Sequence, residues 1–145
     1  MRFVDTNIAV YAVGTLAEDD RKQKISEELL AREADSLAVS VQVLGEFYAQ
    51  VTRQSRRRAL SHEEAVSAME SLQRFHVQAL DLETVSTALQ YRARFHLSYW
   101  DCLILAAAKQ GGCDAVYSED MSAAQDYDGI RVINPFVDDS DMAPA

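Results

Sequence analysis

The stretch SYWDCLILAAAKQGGCDAVYSED, residues 98–120, predicts one helix followed by one strand. Ser98 is a good N-cap, and the pair Gly111-Gly112 is a good stop for a helix that is apolar on nearly every side. A helix of this kind is expected to be buried in the core. The strand that follows it ends near an acidic residue, Asp120. A buried helix that leads into a short strand indicates an α/β protein.

Outward from this stretch, the chain repeats the same alternation of short strands and amphipathic helices. The other predicted strands are Arg2–Asp5, SLAVS (36–40), HVQAL (76–80) and IRVIN (130–134). Helices are predicted from about Thr6, over roughly Asp19–Arg32 and Val41–Gln54, from Ser61 to near Phe75, and over about Leu82–Phe95. Ser61 and Glu64 form a capping box at the start of the fourth of these. The alternation predicts a central, mainly parallel sheet of about five strands with helices on both faces.

Length and composition predict one domain. The 145 residues can bury most of the surface that the unfolded chain exposes, and nearly half of them are hydrophobic. We expect a single domain over residues 1–137 and a solvated acidic tail over residues 138–145. No apolar run has the length of a membrane span, and the two cysteines suit reduced thiols. A cytoplasmic protein without membrane attachment is therefore expected.

The net charge of −9 argues against a broadly basic nucleic-acid-binding face. Local clusters still matter, because charges act over a Debye length of roughly 10 Å. Four of the fourteen basic residues lie in one short segment, Arg53, Arg56, Arg57 and Arg58. This cluster is the candidate surface for a polyanion.

Three acidic residues occupy equivalent places in the predicted fold. Asp5 ends the first strand, Asp120 follows the AVYS strand, and Asp101 lies in the first turn of the buried helix. An isolated acid near a helix N-cap usually serves the helix dipole. In open α/β sheets, however, ligands bind outside the carboxyl ends of the strands. Three acids at that edge favour a shared site.

Glu46 does not stand out by its spacing. Its helix has an apolar stripe, and Glu46 lies roughly 130° from the centre of that stripe. Helical periodicity alone therefore predicts a solvated glutamate. Glu46, Gln50, Arg53 and Arg57 would lie within roughly 60° of one another if the helix ran to Arg57. Such a stripe either guides an RNA backbone or is a solvated helix end, and both interpretations remain open.

Four motifs together resemble a PIN-domain ribonuclease of the VapC toxin type. They are FVDTNIAVYA (3–12), GEFY (45–48), LSYWDCLILAAA (97–108) and AVYSEDM (115–121). The resemblance implies a PIN-like three-layer sandwich whose metal-binding and catalytic acids are Asp5, Glu46, Asp101 and Asp120. It also implies that Asn7 and Ser118 support the site, with Thr6 and Asn7 turning the chain to orient Asp5. A small antitoxin, a homodimer and a toxin–antitoxin hetero-oligomer are further implications.

The chemistry of the acids agrees with that resemblance. Carboxylates that share one pocket repel each other unless a cation neutralises them. Oxygen ligands suit Mg²⁺ or Mn²⁺, whereas the three histidines, His62, His76 and His96, show no paired spacing for zinc. The resemblance implies that the protein hydrolyses RNA, which in relatives is tRNA or rRNA. The products would carry a 5′-phosphate and a 3′-hydroxyl, and the cleavage would inhibit translation and growth. The alternatives are a non-catalytic PIN-like RNA-binding protein and a receiver-like phosphoacceptor module.

The aromatic residues near this site have two interpretations. Tyr91, Phe95, Tyr99 and Trp100 would serve either as base-stacking residues or as helix-packing residues. Aromatic side chains on helices are more commonly part of the core. We therefore expect all four to pack, and Cys102 likewise.

Overall fold

Six strands form one sheet in the computed structural model, which describes residues 1–15, 19–123 and 125–137. They are β1 (Arg2–Val4), β2 (Leu37–Ser40), β3 (His76–Gln78), β4 (Ala115–Tyr117), β5 (Asp126–Tyr127) and β6 (Ile130–Ile133). Their order across the sheet is β3-β2-β1-β4-β6-β5. All neighbouring pairs are parallel except β5 and β6. The predicted mainly parallel sheet is confirmed, and β5 is one strand more than the five predicted.

The additional strand belongs to a tight hairpin. Asp128 and Gly129 connect β5 to β6, with φ angles of 56° and 85°. Two consecutive positive φ angles are what a two-residue type I′ turn requires, and Asp-Gly is a preferred sequence for it. The Gly129 amide also donates to Asp126 Oδ1 at 2.7 Å. The Asp-Gly pair was thus a usable signal for a strand too short to show a hydrophobic pattern.

The helices in the described residues form two groups. They are α1 (Thr6–Ala12), α2 (Asp20–Arg32), α3 (Val41–Val51), α4 (His62–Leu72), α5 (Leu82–Phe95) and α6 (Tyr99–Gln110). Helix α1 packs against α2 and α3, and α3 also packs against α4. Helix α5 packs along α6. The predicted capping box of Ser61 and Glu64 is observed at the start of α4. The α/β sandwich architecture is therefore confirmed.

Helix α6 is the buried helix that residues 98–110 predict. Ser98 Oγ accepts a hydrogen bond from the Asp101 amide at 3.1 Å, and Gly111 caps the other end. All seven residues from Cys102 to Ala108 are buried, and the helix packs against β2, β3, β4 and β6. Both cysteines are buried free thiols. This burial holds the first turn of α6, and hence Asp101, in a defined place relative to the sheet.

Helix α3 is shorter than predicted. It ends at Val51 rather than near Gln54, because Thr52 caps it and donates its hydroxyl to the Tyr48 carbonyl at 2.7 Å. The following residues, RQSRRR (53–58), offer no apolar side chain to the core and four mutually repelling guanidinium groups. Tertiary packing supplies most helix stability, so the helix does not continue there. The predicted helical stripe from Glu46 to Arg57 is therefore wrong beyond Gln50.

Two predictions concern the acidic tail and membrane spans. The predicted acidic tail, residues 138–145, lies outside the described residues. Within residues 1–15, 19–123 and 125–137, no helix combines the length and the apolar character needed to cross a membrane.

Candidate active site

Asp5 is the most buried of the four predicted acids. It follows β1 and caps α1, with only 6% of its surface exposed. The Thr6 amide and the Ser118 hydroxyl donate to its two carboxylate oxygens, each at 2.7 Å. Burial raises the pKa of Asp5 to about 6, nearby Asp101 and Asp120 add to the rise, and the two hydrogen bonds oppose it. These two hydrogen bonds hold the Asp5 carboxylate in a fixed orientation at the end of β1.

Asp101, in the first turn of α6, and Asp120, in the loop after β4, lie with Asp5 at the carboxyl edge of the sheet. Asp101 is half-buried, and its pKa is raised by burial and by the nearby Asp120. Asp120 is exposed, and its carboxylate accepts a hydrogen bond from Asn7 Nδ2 at 2.9 Å. The Asp120 amide donates to Ser118 Oγ at 3.1 Å. Ser118 therefore links the backbone of Asp120 to the carboxylate of Asp5.

Glu46 reaches the same pocket from α3. It is half-buried, and the Thr6 hydroxyl donates to its Oε1 in a long hydrogen bond of 3.5 Å. Burial raises the pKa of Glu46, and the negative charge of Asp101 acts in the same direction. The periodicity of α3 suggested a solvated glutamate, but the packing of α3 against α1 turns this side chain toward the pocket.

The four acids line one small cavity of about 120 Å³ at the carboxyl edge of the sheet. The other residues that line it are Thr6, Asn7, Gln42, Gln50, Trp100 and Ile104. Sequence reasoning did not single out Gln42 or Ile104. Gln42 lies four residues before Glu46, so the helical spacing of neighbours on one face would have found it.

Glu119 lies between Ser118 and Asp120 but is engaged elsewhere. Its carboxylate forms an ion pair with Lys22, and the hydrogen bond from Lys22 helps hold its pKa below the ordinary value despite partial burial. The Lys22 ammonium also lies over the ring of Tyr11, 5.1 Å from its centroid. This pairing explains why one acid of the SED sequence joins the pocket and its neighbour does not.

The donor set of the cavity suits a hard divalent cation. Its ligating atoms are carboxylate and amide oxygens, and the buried Oδ1 of Asn7 has no hydrogen-bond partner among the described residues. In residues 1–15, 19–123 and 125–137, no three His, Cys, Asp or Glu side chains are grouped closely enough to surround one ion. Mg²⁺ does not require such a cage, because it commonly takes one or two carboxylates and keeps several waters. The oxygen atoms that line the cavity therefore fit a hard divalent cation that keeps part of its water shell.

One of the four arginines lies next to the cavity. Arg56 donates to Gln50 Oε1 at 3.2 Å and to the Thr15 hydroxyl at 3.4 Å. Its partial burial lowers its pKa, as does the neighbouring charge of Arg53. Arg53, Arg57 and Arg58 are exposed. The loop after α3 thus returns one guanidinium to a side chain of the pocket, which a continuous helix would not have done.

The three histidines lie on the surface. His62 bonds the Tyr48 hydroxyl at 2.9 Å, His76 bonds Gln78 at 3.1 Å, and His96 adopts a left-handed conformation after α5. All three are exposed and none lines the cavity.

Comparison with known proteins identifies the family. The PIN domain profile matches residues 2–127. The fold is similar to that of Mycobacterium tuberculosis VapC20, a sarcin-ricin loop cleaving toxin, with 22% identity and a TM-score of 0.67 over 90% of this chain and 99% of that chain. A toxin–antitoxin complex from Klebsiella pneumoniae is 16% identical, with a TM-score of 0.68 over 93% and 98%.

A third solved structure extends the same comparison. FitAB bound to a DNA fragment is 18% identical, with a TM-score of 0.67 over 94% of this chain and 96% of that chain. Among curated protein sequences the chain has no significant match. The resemblance that the four motifs indicate is confirmed by the family match and by neighbours that are VapC and VapBC toxin structures. The chain belongs to the PIN domain family.

Proposed function

We propose that this protein is a metal-dependent endoribonuclease that acts as the toxin of a toxin–antitoxin pair. The observation that supports this most strongly is the convergence of Asp5, Glu46, Asp101 and Asp120 on one cavity. The pKa values of Asp5, Glu46 and Asp101 are raised, so their ionised forms are disfavoured in the cavity, and a bound cation would stabilise them. VapC20, which has the same fold, is described as a toxin that cleaves the sarcin-ricin loop.

The four acids and the residues that donate hydrogen bonds to them each have a task in this proposal. Asp5, Glu46, Asp101 and Asp120 would hold Mg²⁺ or Mn²⁺, and a divalent ion there supplies an activated water and stabilises charge on the phosphate and the leaving oxygen. Ser118 and the Thr6 amide orient Asp5, and Asn7 orients Asp120. Thr6 also holds Glu46. These contacts prearrange the ligands, so little reorganisation is needed when substrate arrives.

Removing divalent metal is expected to stop RNA cleavage. Purified protein incubated with mixed RNA and Mg²⁺ or Mn²⁺ should release fragments with 5′-phosphate and 3′-hydroxyl ends, whereas EDTA should leave the RNA intact. Readdition of Mn²⁺ in excess over EDTA should restore cleavage. Cleavage at the same rate in EDTA would contradict the proposal.

The main alternative is a PIN domain that binds RNA without cutting it. The PIN domain match over residues 2–127 speaks against the phosphoacceptor alternative, because receiver modules belong to a different family. The same RNA incubation separates the remaining two interpretations when binding is measured in parallel. Retention of RNA with no new ends in either metal would favour the binding protein.

Arg56 is the arginine that we propose to contact the RNA backbone. It is held against Gln50, which lines the cavity, whereas Arg58 is exposed on the same loop. Replacing Arg56 with glutamine is expected to weaken RNA binding and to reduce the slope of log affinity against log salt by about 0.7, the value for one phosphate contact on a single strand. Arg58→Gln serves as the matched control and should change the slope less. Equal slopes of log affinity against log salt in wild type and Arg56→Gln would show that Arg56 does not contact the RNA backbone.

The partner is proposed to be a small antitoxin. Solved neighbours include toxin–antitoxin complexes, three of them with DNA. In this chain, an apolar cleft of about 190 Å³ lies between α1, α2, α3 and α4, and its lining includes Ala9, Leu30, Phe47 and Ala68. Such a cleft suits an apolar side chain from an amphipathic segment. The homodimer and the toxin–antitoxin hetero-oligomer belong to the same proposal.

The antitoxin proposal is tested by co-expression with a candidate antitoxin, a small protein whose gene adjoins this one. Wild-type protein should copurify with that partner and be inhibited by it. Ala68→Trp, which fills the cleft, should lose copurification and retain RNA cleavage. Unchanged copurification of Ala68→Trp would show that the partner binds elsewhere.

A further inference from the structure

Trp100 is the one tryptophan in the chain, and 62% of its surface is exposed at the mouth of the acidic cavity. We propose that its indole ring stacks on an unpaired nucleobase beside the cleaved phosphodiester. The inference rests on the proposed ribonuclease function and specifies the substrate. It requires RNA that presents an unpaired base, in a single strand or a loop.

The exposure of Trp100 contrasts with the other aromatics of this region. Tyr91 is buried, and Phe95 packs edge-on against Tyr127 with ring centroids 5.1 Å apart. Tyr99 is half-buried and packs against the core. The expectation that all four aromatics pack is therefore correct for three and wrong for Trp100. The indole beside the polar cavity is thus not part of the core, and its face is open to a planar ligand.

The indole ring of Trp100 is exposed, but the backbone of the residue is held in place. Trp100 lies in the first turn of α6, immediately before Asp101, and Gln42 Nε2 donates to its carbonyl at 3.2 Å. The Tyr99 ring packs edge-on against the indole, with centroids 5.1 Å apart and planes at 77°. These contacts limit the movement of the ring, which lowers the entropy lost on stacking.

The electrostatics of the protein give stacking a particular value here. The net charge of −9 and the four carboxylates of the cavity do not favour the approach of a phosphate backbone. Stacking of a base on an aromatic ring supplies affinity without charge, and it tolerates any base. A base inside a duplex has both faces covered by its neighbours. The geometry therefore selects unpaired RNA.

Because Trp100 is the sole tryptophan, intrinsic fluorescence reports on it directly. Asp5→Asn protein in Mg²⁺, which retains Trp100 and Asp101 but should not cleave, is titrated with a short mixed-sequence RNA. The same RNA annealed to its complement is the comparison. We expect saturable quenching by the single strand and little change with the duplex. Binding of the single strand, measured by fluorescence anisotropy of labelled RNA, with no change in indole emission would overturn the inference.

Substitution of Trp100 separates stacking from a structural role. In the Asp5→Asn background, Trp100→Ala should raise the Kd for single-stranded RNA by about 5- to 150-fold, and Trp100→Phe should restore most of the affinity. Leu82→Ala is the matched control, because Leu82 is also a large exposed side chain, at 83% exposure. It begins α5 and lies away from the cavity, since the neighbouring Asp81 accepts a hydrogen bond from Gln110 at the opposite end of α6 from Trp100. The Kd of Leu82→Ala should stay at the value of the parent protein. An unchanged Kd in Trp100→Ala would refute stacking.

Kinetics with an otherwise wild-type chain complete the test. Loss of a contact made equally in the ground state and the transition state raises KM and leaves kcat nearly unchanged. Trp100→Ala should show that split, and a fall in kcat alone would contradict the inference. Quenching by RNA in a protein that never cleaves would refute the ribonuclease proposal while supporting stacking.

Discussion

Replacing Asp101 with asparagine is expected to reduce RNA cleavage about a thousandfold, which corresponds to about 4 kcal/mol of transition-state stabilisation. Asparagine keeps the shape of the side chain but removes the charge that would hold the divalent ion. The pKa of Asp101 is raised by burial and by Asp120, so the ionised form is already disfavoured without a cation. Initial rates on a labelled RNA in saturating Mn²⁺ measure the effect.

The fold should survive this substitution. Ser98 caps α6 through the backbone amide of Asp101, and the buried residues that hold α6 begin at Cys102. Asp35 provides a matched control, because it is exposed, lies before β2 and does not line the cavity. Asp35→Asn should cleave at the wild-type rate. A wild-type rate for Asp101→Asn, with circular dichroism unchanged, would show that Asp101 is not part of the site.

Replacing Asp5 with asparagine is expected to stabilise the metal-free protein while abolishing cleavage. Burial raises the pKa of Asp5 from 3.8 to about 6, so the folded state binds this proton more tightly than the unfolded chain. For a carboxyl group with a raised pKa, unfolding free energy falls as pH rises from about 4 to about 6 and stays low above it. The rise in pKa corresponds to about 3 kcal/mol at neutral pH.

The gain in the free energy of unfolding should be smaller than about 3 kcal/mol. Asparagine can accept from the Thr6 amide, but its Nδ2 cannot accept from the Ser118 hydroxyl, so one of two buried hydrogen bonds must rearrange. We expect the free energy of unfolding of Asp5→Asn to exceed that of wild type by about 1–2 kcal/mol at neutral pH in EDTA. Below about pH 4 the two proteins should differ little, because Asp5 is protonated in both states.

Urea unfolding at several pH values, with EDTA or with Mg²⁺, checks this result. Mg²⁺ should stabilise wild type by binding the folded state, and it should stabilise Asp5→Asn less. Asp35→Asn again serves as the control and should keep the wild-type dependence on pH and metal. A lower stability of Asp5→Asn at neutral pH in EDTA would mean that the two hydrogen bonds outweigh the cost of burial.

Glu46 and Trp100 illustrate where sequence reasoning needed help. The periodicity of α3 made Glu46 a solvated residue, and only the resemblance to PIN-domain proteins included it among the acids. Helix α3 packs against α1, and this contact turns the Glu46 face toward Asp5. For Trp100 the error was the reverse. Its residue type suggested that it packs in the core, but its place at the start of α6 leaves it exposed. Periodicity describes one helix, whereas both positions depend on its neighbours.

The sequence by itself determined the elements whose signals are local. The N-cap at Ser98, the capping box at Ser61 and the all-round apolar surface of α6 depend on residues within a few positions of each other. Short-range hydrogen bonds and the burial of a contiguous apolar segment are encoded in neighbouring residues. The α/β alternation and the acids Asp5 and Asp101 at element ends could therefore be predicted.

Only the tertiary structure decided which distant groups meet. Asp5 and Ser118 are 113 residues apart and joined by a hydrogen bond, and Arg56 approaches Gln50 because α3 stops at Val51. The pKa of Asp5 is likewise raised chiefly by burial, to which segments from across the chain contribute. Such contacts depend on the packing of helices on a parallel sheet, whose register no local pattern encodes. Helix packing and strand order thus turned separate acids along the chain into one acidic cavity.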